Sequence, residues 1–179
     1  MGAIAEPKPV LLLLGAFSRH EAALDWAREM AEAAWGTTAL TSKVFSFADT
    51  DYYEKTMGAG LKKTFFAFEQ LHDSSVLIDV KLHTNDLEEQ YRVQNVHTEL
   101  RPLNLDPGYV TEAKLVLATT KDRDHRLYLG RGIFAEVTLH YHRGDWTTHP
   151  WTYPDYQSAE YHEFLTQCRD YLRERYRNG

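Results

Sequence analysis

The sequence predicts an α+β fold: a mixed β-sheet with helices packed on it and a C-terminal antiparallel hairpin, an open α/β sandwich being the alternative. Three features lead there. Residues 10–14, closing at Phe17, form an apolar run of strand length. Residues 126–129 and 133–142 flank Gly130-Arg131-Gly132 as a hairpin. Stretches of helical period separate the strands, and no repeat or long linker divides residues 1–179, so one domain is expected.

The elements follow in order. Ser18-x-x-Glu21 is a capping box for a first helix, with Ala23, Ala27, Met30, Ala34 and Trp35 near helical spacing and Gly36 as its stop. Residues 43–47 read as a strand. Across 58–71, Leu61, Phe65 and Phe68 at i, i+4 and i+7 predict a second amphipathic helix. Residues 76–83 alternate Val76, Ile78, Val80 and Leu82 with Asp79, Lys81 and His83, which predicts a half-buried strand. Asn85-x-x-Glu88 then caps a shorter helix to Val93, and 95–101 is a loop. Residues 103–106 enter a turn at Asp106-Pro107-Gly108, and a short helix runs from Thr111 or Glu112 to about Ala118. Ser158 caps a last helix that gathers Tyr161, Phe164, Leu165, Cys168 and Leu172 on one face.

Composition narrows the function. A net charge of −6 disfavours nucleic acid and anionic membrane surfaces as partners, since both need clustered cations. The single cysteine, Cys168, excludes an intrachain disulfide and a multi-cysteine metal site. The run 10–17 is too short to cross a bilayer, and Glu6, Pro7 and Pro9 precede it where an export signal has basic residues. A cytoplasmic protein is expected.

Several groups carry candidate chemistry. In FAEVTLHYH (134–142), strand alternation sets Glu136, Thr138, His140 and His142 on one face, as metal ligands or as an ordinary wet face. Glu136 alone is a candidate base or Mg2+ ligand, or the cross-strand partner of Arg126. Asp106 at a strand end is a second candidate base, and Tyr109 after it a ligand contact. Lys121, Arg126 and Arg131 suit a phosphate or carboxylate. Asp49 and Asp51, two residues apart, could share a metal. MGAGLKKT (57–64) departs from the phosphate-loop pattern G-x-x-x-x-G-K-[ST], because Leu61 separates Gly60 from Lys62, and reads as a helix entry with solvated lysines or, less specifically, as an anion-binding loop. The Trp- and Pro-rich loop 146–156 closes the core or offers a contact surface.

TDYYE (50–54), NLDPGY (104–109), KLVLATTKD (114–122), AEVTL (135–139) and PWTYPDY (150–156), with the opening GAIAEPKPV (2–10), resemble DUF4416, a bacterial family of unknown function. The resemblance covers nearly the whole chain and implies no activity. It draws weight to Glu136 and Thr138 and away from His140 and His142.

The leading expectation is a polar cleft at the strand ends that binds a small anionic molecule, phosphorylated or nucleotide-like, with Mg2+ as an admissible cofactor. The alternatives are a non-catalytic interaction or homo-oligomerisation module using loop 146–156 and, last, a metal-dependent hydrolase at Glu136, His140 and His142.

Overall fold

The computed structural model describes residues 2–47, 53–94 and 96–178. Along them run β1 (Val10–Ser18), α1 (Glu21–Trp35), β2 (Thr38–Thr41), β3 (Phe45–Phe47), α2 (Glu54–Met57), β4 (Leu61–His72) and α3 (Leu77–Val93). Then come β5 (Asn104–Val110), β6 (Lys114–Thr119), β7 (Leu127–Gly130), β8 (Ile133–His142), β9 (Asp145–Thr148) and α4 (Ala159–Asn178). The nine strands form one sheet in the order β2-β4-β1-β5-β6-β8-β7, with β3 added to β4 and β9 to β8. The fold is α+β. Every described pairing is antiparallel, where a mixed sheet was expected.

Helices cover both faces of the sheet, which is why β1 is buried throughout and reads as an unbroken apolar run. Its Leu12, Leu14 and Ala16 pack under α1 and α3, while Leu11 and Leu13 pack under α4. The α4 face predicted from spacing is the buried one, and the Ser158 Oγ accepts from the Tyr161 N–H at 3.3 Å. Among the described residues no helix is long and apolar enough to cross a membrane.

Other expectations are corrected. Residues 61–72 are the strand β4, hydrogen-bonded on both sides and covered over most of its length, so its apolar run lacks alternation and matched a helical spacing by chance. Residues 77–83 open the helix α3, whose buried positions are Leu77, Val80, Lys81, Thr84, Leu87 and Tyr91. Those positions have helical spacing, but Lys81 and Thr84 hide it from a hydrophobic pattern. Residues 114–119 are the strand β6, and Asp106-Pro107-Gly108 lies inside β5. The Ser18 capping box does not form: His20 is the N-cap and has no side-chain cap, while Ser18 Oγ accepts from the His20 N–H and donates to the Pro102 carbonyl at 2.6 Å.

The proline has a specific effect. β5 pairs with β1 from Asn104 to Val110, but with β6 only from Gly108 onward. Leu105, in the unpaired half, is held by α3 instead. Its N–H donates to Glu88 Oε1 at 2.7 Å, and its carbonyl accepts from Lys81 Nζ at 3.0 Å. Backbone groups on a strand repeat every two residues, so the Pro107 nitrogen faces the same way as the Leu105 N–H, toward β6. It carries no hydrogen to offer. The sheet therefore splits at Pro107, leaving a gap between residues 104–106 and the end of β6.

Below the split the two strands close tightly. A Cβ added to Gly108 would stand 2.2 Å from the Val116 carbonyl oxygen and 2.7 Å from Leu117 Cδ2. Gly108→Ala is expected to destabilise the protein by roughly 2–3 kcal/mol, since backbone rather than a flexible side chain must move. Urea denaturation checks this, and an unchanged midpoint would contradict it.

Candidate functional site

The split opens a cleft of about 610 Å³ on the face that α4 leaves uncovered. Directly opposed strand residues share a face. Lys63, Phe17 and Asn104 thus form one row across β4, β1 and β5, and Phe65, Gly15 and Asp106 form the next. Leu117 and its partner Glu136 continue the surface onto β6 and β8. Lys81 and Glu88 of α3 reach in through the split, and residues 153–156 close the side toward α4.

One wall is built on a buried ion pair. Lys63 is 2% exposed, and its ammonium lies 2.7 Å from Asp155 Oδ2. The Tyr156 ring centroid is 4.4 Å from that nitrogen, and the rings of Phe17, Phe47, Phe65 and Tyr161 stand at 5.2–5.6 Å. A buried ammonium needs an opposite charge, which Asp155 supplies, and the aromatic faces add further attraction. Tyr156 is itself fully buried, and its hydroxyl has no hydrogen-bond partner among the described residues. Burial pushes that phenol well above the usual tyrosine range, helped by the charges of Asp155, Asp106 and Glu136.

The opposite wall fixes an arginine. Arg126 Nε donates to Glu136 Oε2 at 2.7 Å, Nη1 to the Lys121 carbonyl at 2.9 Å and Nη2 to the Tyr153 hydroxyl at 3.0 Å. Both members of the Arg126–Glu136 pair are buried. His125 Nε2 lies 3.1 Å from the same Glu136 oxygen, and its ring stacks on Trp151.

At the third corner, Arg101 Nη2 donates to Glu88 Oε2 at 3.2 Å and also to Asn104 Oδ1, while Asn104 Nδ2 donates to Asp106 at 3.0 Å. Burial raises the Glu88 carboxyl above its ordinary pKa, against the opposing pull of Lys81, Arg101 and the Leu105 N–H. Among the described lining residues, the cations are Lys63, Lys81, Arg101, Lys121, Arg123 and Arg126, and the carboxylates are Glu88, Asp106, Glu136 and Asp155.

Of the residues singled out in the sequence, Asp106, Lys121, Arg126 and Glu136 therefore share one cleft. Tyr109 does not line it and packs instead in the core under α3. Arg131 stands on the exposed β7–β8 turn, paired with Asp79. Asp49 and Asp51 lie outside the described residues. The row of four polar side chains on β8 is broken: Leu115 opposes Leu139 and Val116 opposes Val137, so Thr138 is an extra residue, a β-bulge. Glu136 consequently faces the cleft, while His140 and His142 face the other side. These three do not form a common metal site.

The bulge also explains loop 146–156. The Trp151 indole N–H donates to the Val137 carbonyl at 3.0 Å, and the Thr152 hydroxyl to the Thr138 carbonyl at 2.6 Å. The loop thereby satisfies the two carbonyls beside the bulge.

A family model described as a domain of unknown function, DUF4416, matches residues 8–171. The chain belongs to this family. No curated protein and no solved structure matches it.

Sequence reasoning missed Lys63, Lys81, Glu88, Arg101, Asp155 and Tyr156 as cleft residues of this DUF4416 chain. A signal existed for two: a lysine inside an apolar strand and another on the buried face of a helix both demand a partner.

A carboxyl whose pKa is raised by folding holds its proton more tightly in the folded state. It contributes stability at acid pH that is lost as pH rises from about 4.5 through the raised value. Glu88→Gln removes that loss, so its stability relative to wild type should grow as pH rises through this window. Urea denaturation across a pH series measures it, and a difference independent of pH would contradict the assignment.

Proposed function

We propose that the cleft binds a small anionic ligand of the phosphorylated or nucleotide-like class. The observation that carries this reading is the excess of cations: six against four carboxylates among the described lining residues, in a chain of net charge −6. Arginine held in place by Glu136, the Lys121 carbonyl and Tyr153 loses little further freedom when it receives a phosphate or carboxylate. The Tyr156 hydroxyl is a buried polar group without a partner among the described residues, and a ligand oxygen beside it would supply one.

The carboxylates divide by their surroundings. Glu136, Asp155 and Glu88 are each engaged with a cation. Among the described residues Asp106 has one hydrogen bond, from Asn104, and no ion pair. It is thus the lining carboxylate that no cation engages directly, and the one suited to take a proton from a bound ligand. It is equally suited to hold Mg2+ carried in by the ligand's phosphates, since that ion commonly takes only one or two protein carboxylates.

Thermal shifts against a panel of nucleotides and phosphosugars, with and without Mg2+, test the reading. At least one is expected to raise the melting temperature, less so at high salt, and a flat response throughout the panel would refute it. Tyr156→Phe provides a sharper test. Removing an unpartnered buried hydroxyl should leave the free protein as stable as wild type or up to about 1 kcal/mol more stable. It should weaken the ligand found in the panel roughly tenfold, in line with losing one hydrogen bond to a charged group. Calorimetric titration measures the affinity, and unchanged binding would remove Tyr156 from the site.

A further inference from the structure

A second constellation lies on the loop between α3 and β5, where it meets the start of α1. We infer that His20, His97 and Glu99 form a binding site for a nitrogen-preferring divalent metal ion of the zinc class. One ligand atom from each of the three lies within 4.8 Å of the other two, and among the described residues this is the one grouping of three or more His, Cys, Asp or Glu side chains that does so. Two imidazoles and a carboxylate select borderline ions such as Zn2+ over Mg2+ or Ca2+, which take oxygen ligands. Three protein ligands leave a coordination position for water.

The surroundings are those that orient metal ligands. Tyr91 OH lies 2.9 Å from His97 Nε2 and fixes that ring, while Arg19 Nη1 donates to Glu99 Oε1 at 3.1 Å and leaves Oε2 toward His20. Behind His20, the Ser18 hydroxyl ties the His20 N–H to the Pro102 carbonyl, so the two chain segments that bring the ligands are themselves joined. All three side chains are half-buried. The His20 and His97 rings lie face to face, 3.6 Å apart at 10°. Converging on one ion turns them about χ2, a broad and soft torsion in histidine.

The site is separate from the cleft but linked to it. Arg101, two residues after Glu99, reaches the cleft, and its N–H donates to the Thr56 carbonyl. An ion at Glu99 would pin the segment that carries this arginine.

Zinc titration of the untagged, chelator-stripped full chain tests the inference, with the visible absorption of Co2+ as a second readout of nitrogen ligation. One equivalent should bind to wild type. His97→Ala and Glu99→Ala should each lower affinity at least tenfold, and Tyr91→Phe about tenfold, with far-UV circular dichroism confirming that each variant folds. The double variant His140→Ala/His149→Ala removes the other histidine pair, 3.2 Å apart, and should bind as wild type does. Absence of saturable binding to wild type would overturn the site. So would binding that survives both His97→Ala and Glu99→Ala, or binding lost with His140 and His149.

Discussion

Leu105 lies in the middle of a nine-stranded sheet, yet its amide and carbonyl bond to the side chains of a helix. A buried peptide group must find partners, and here Glu88 and Lys81 take the places that β6 would fill in a closed sheet. Pro107 removes the next donor on the same side. Together these residues let the sheet part without leaving Leu105 unsatisfied, and the parting creates the cleft. Because the substitutes are ionisable, the opening is charged from the start. Arg101 and Asp106 then follow as the groups that complete the surroundings of Glu88.

Charge on this scale inside a protein is costly, and replacing buried ion pairs by apolar residues often leaves stability unchanged or improved. Lys63–Asp155 and Arg126–Glu136 are both buried, and each is supported by more than its Coulomb attraction. Lys63 is surrounded by five aromatic rings, while Arg126 has two further acceptors. Such arrangements hold side chains in fixed positions. The Tyr156 hydroxyl, which has no hydrogen-bond partner among the described residues, feels the charges of Asp155 and Glu136, one carboxylate from each pair.

The legible parts of the sequence were those under a single demand. β1, α1 and α4 bury apolar faces, and their patterns state it; the β7–β8 hairpin is marked instead by its Gly130-Arg131-Gly132 turn, β7 itself being largely exposed. Misread elements mostly serve the cleft as well as the core. α3 carries Lys81 on a buried face, so its helical period was masked. Lys62 and Lys63 of β4 were read as a helix entry because a strand is seldom expected to bury a lysine. Asp106-Pro107-Gly108 has turn chemistry in the middle of a strand because the sheet is meant to open there. The bulge at Thr138 left no mark in FAEVTLHYH, since an inserted residue shifts the face of everything after it without altering the alternation. Asp106, Lys121, Arg126 and Glu136, which line the cleft, nonetheless stand out in the sequence: Asp106 by its place at a strand end, Lys121 and Arg126 by their run of cations, and Glu136 by strand alternation opposite Arg126.

Amide hydrogen exchange at Leu105 tests most directly whether α3 holds the sheet open. In the wild type this amide should exchange slowly although it has no strand partner on that side. In Glu88→Ala it should become fast while the amides of β1 keep their protection. Slow exchange that persists in Glu88→Ala would contradict the account, because the Leu105 N–H would then have a partner other than Glu88.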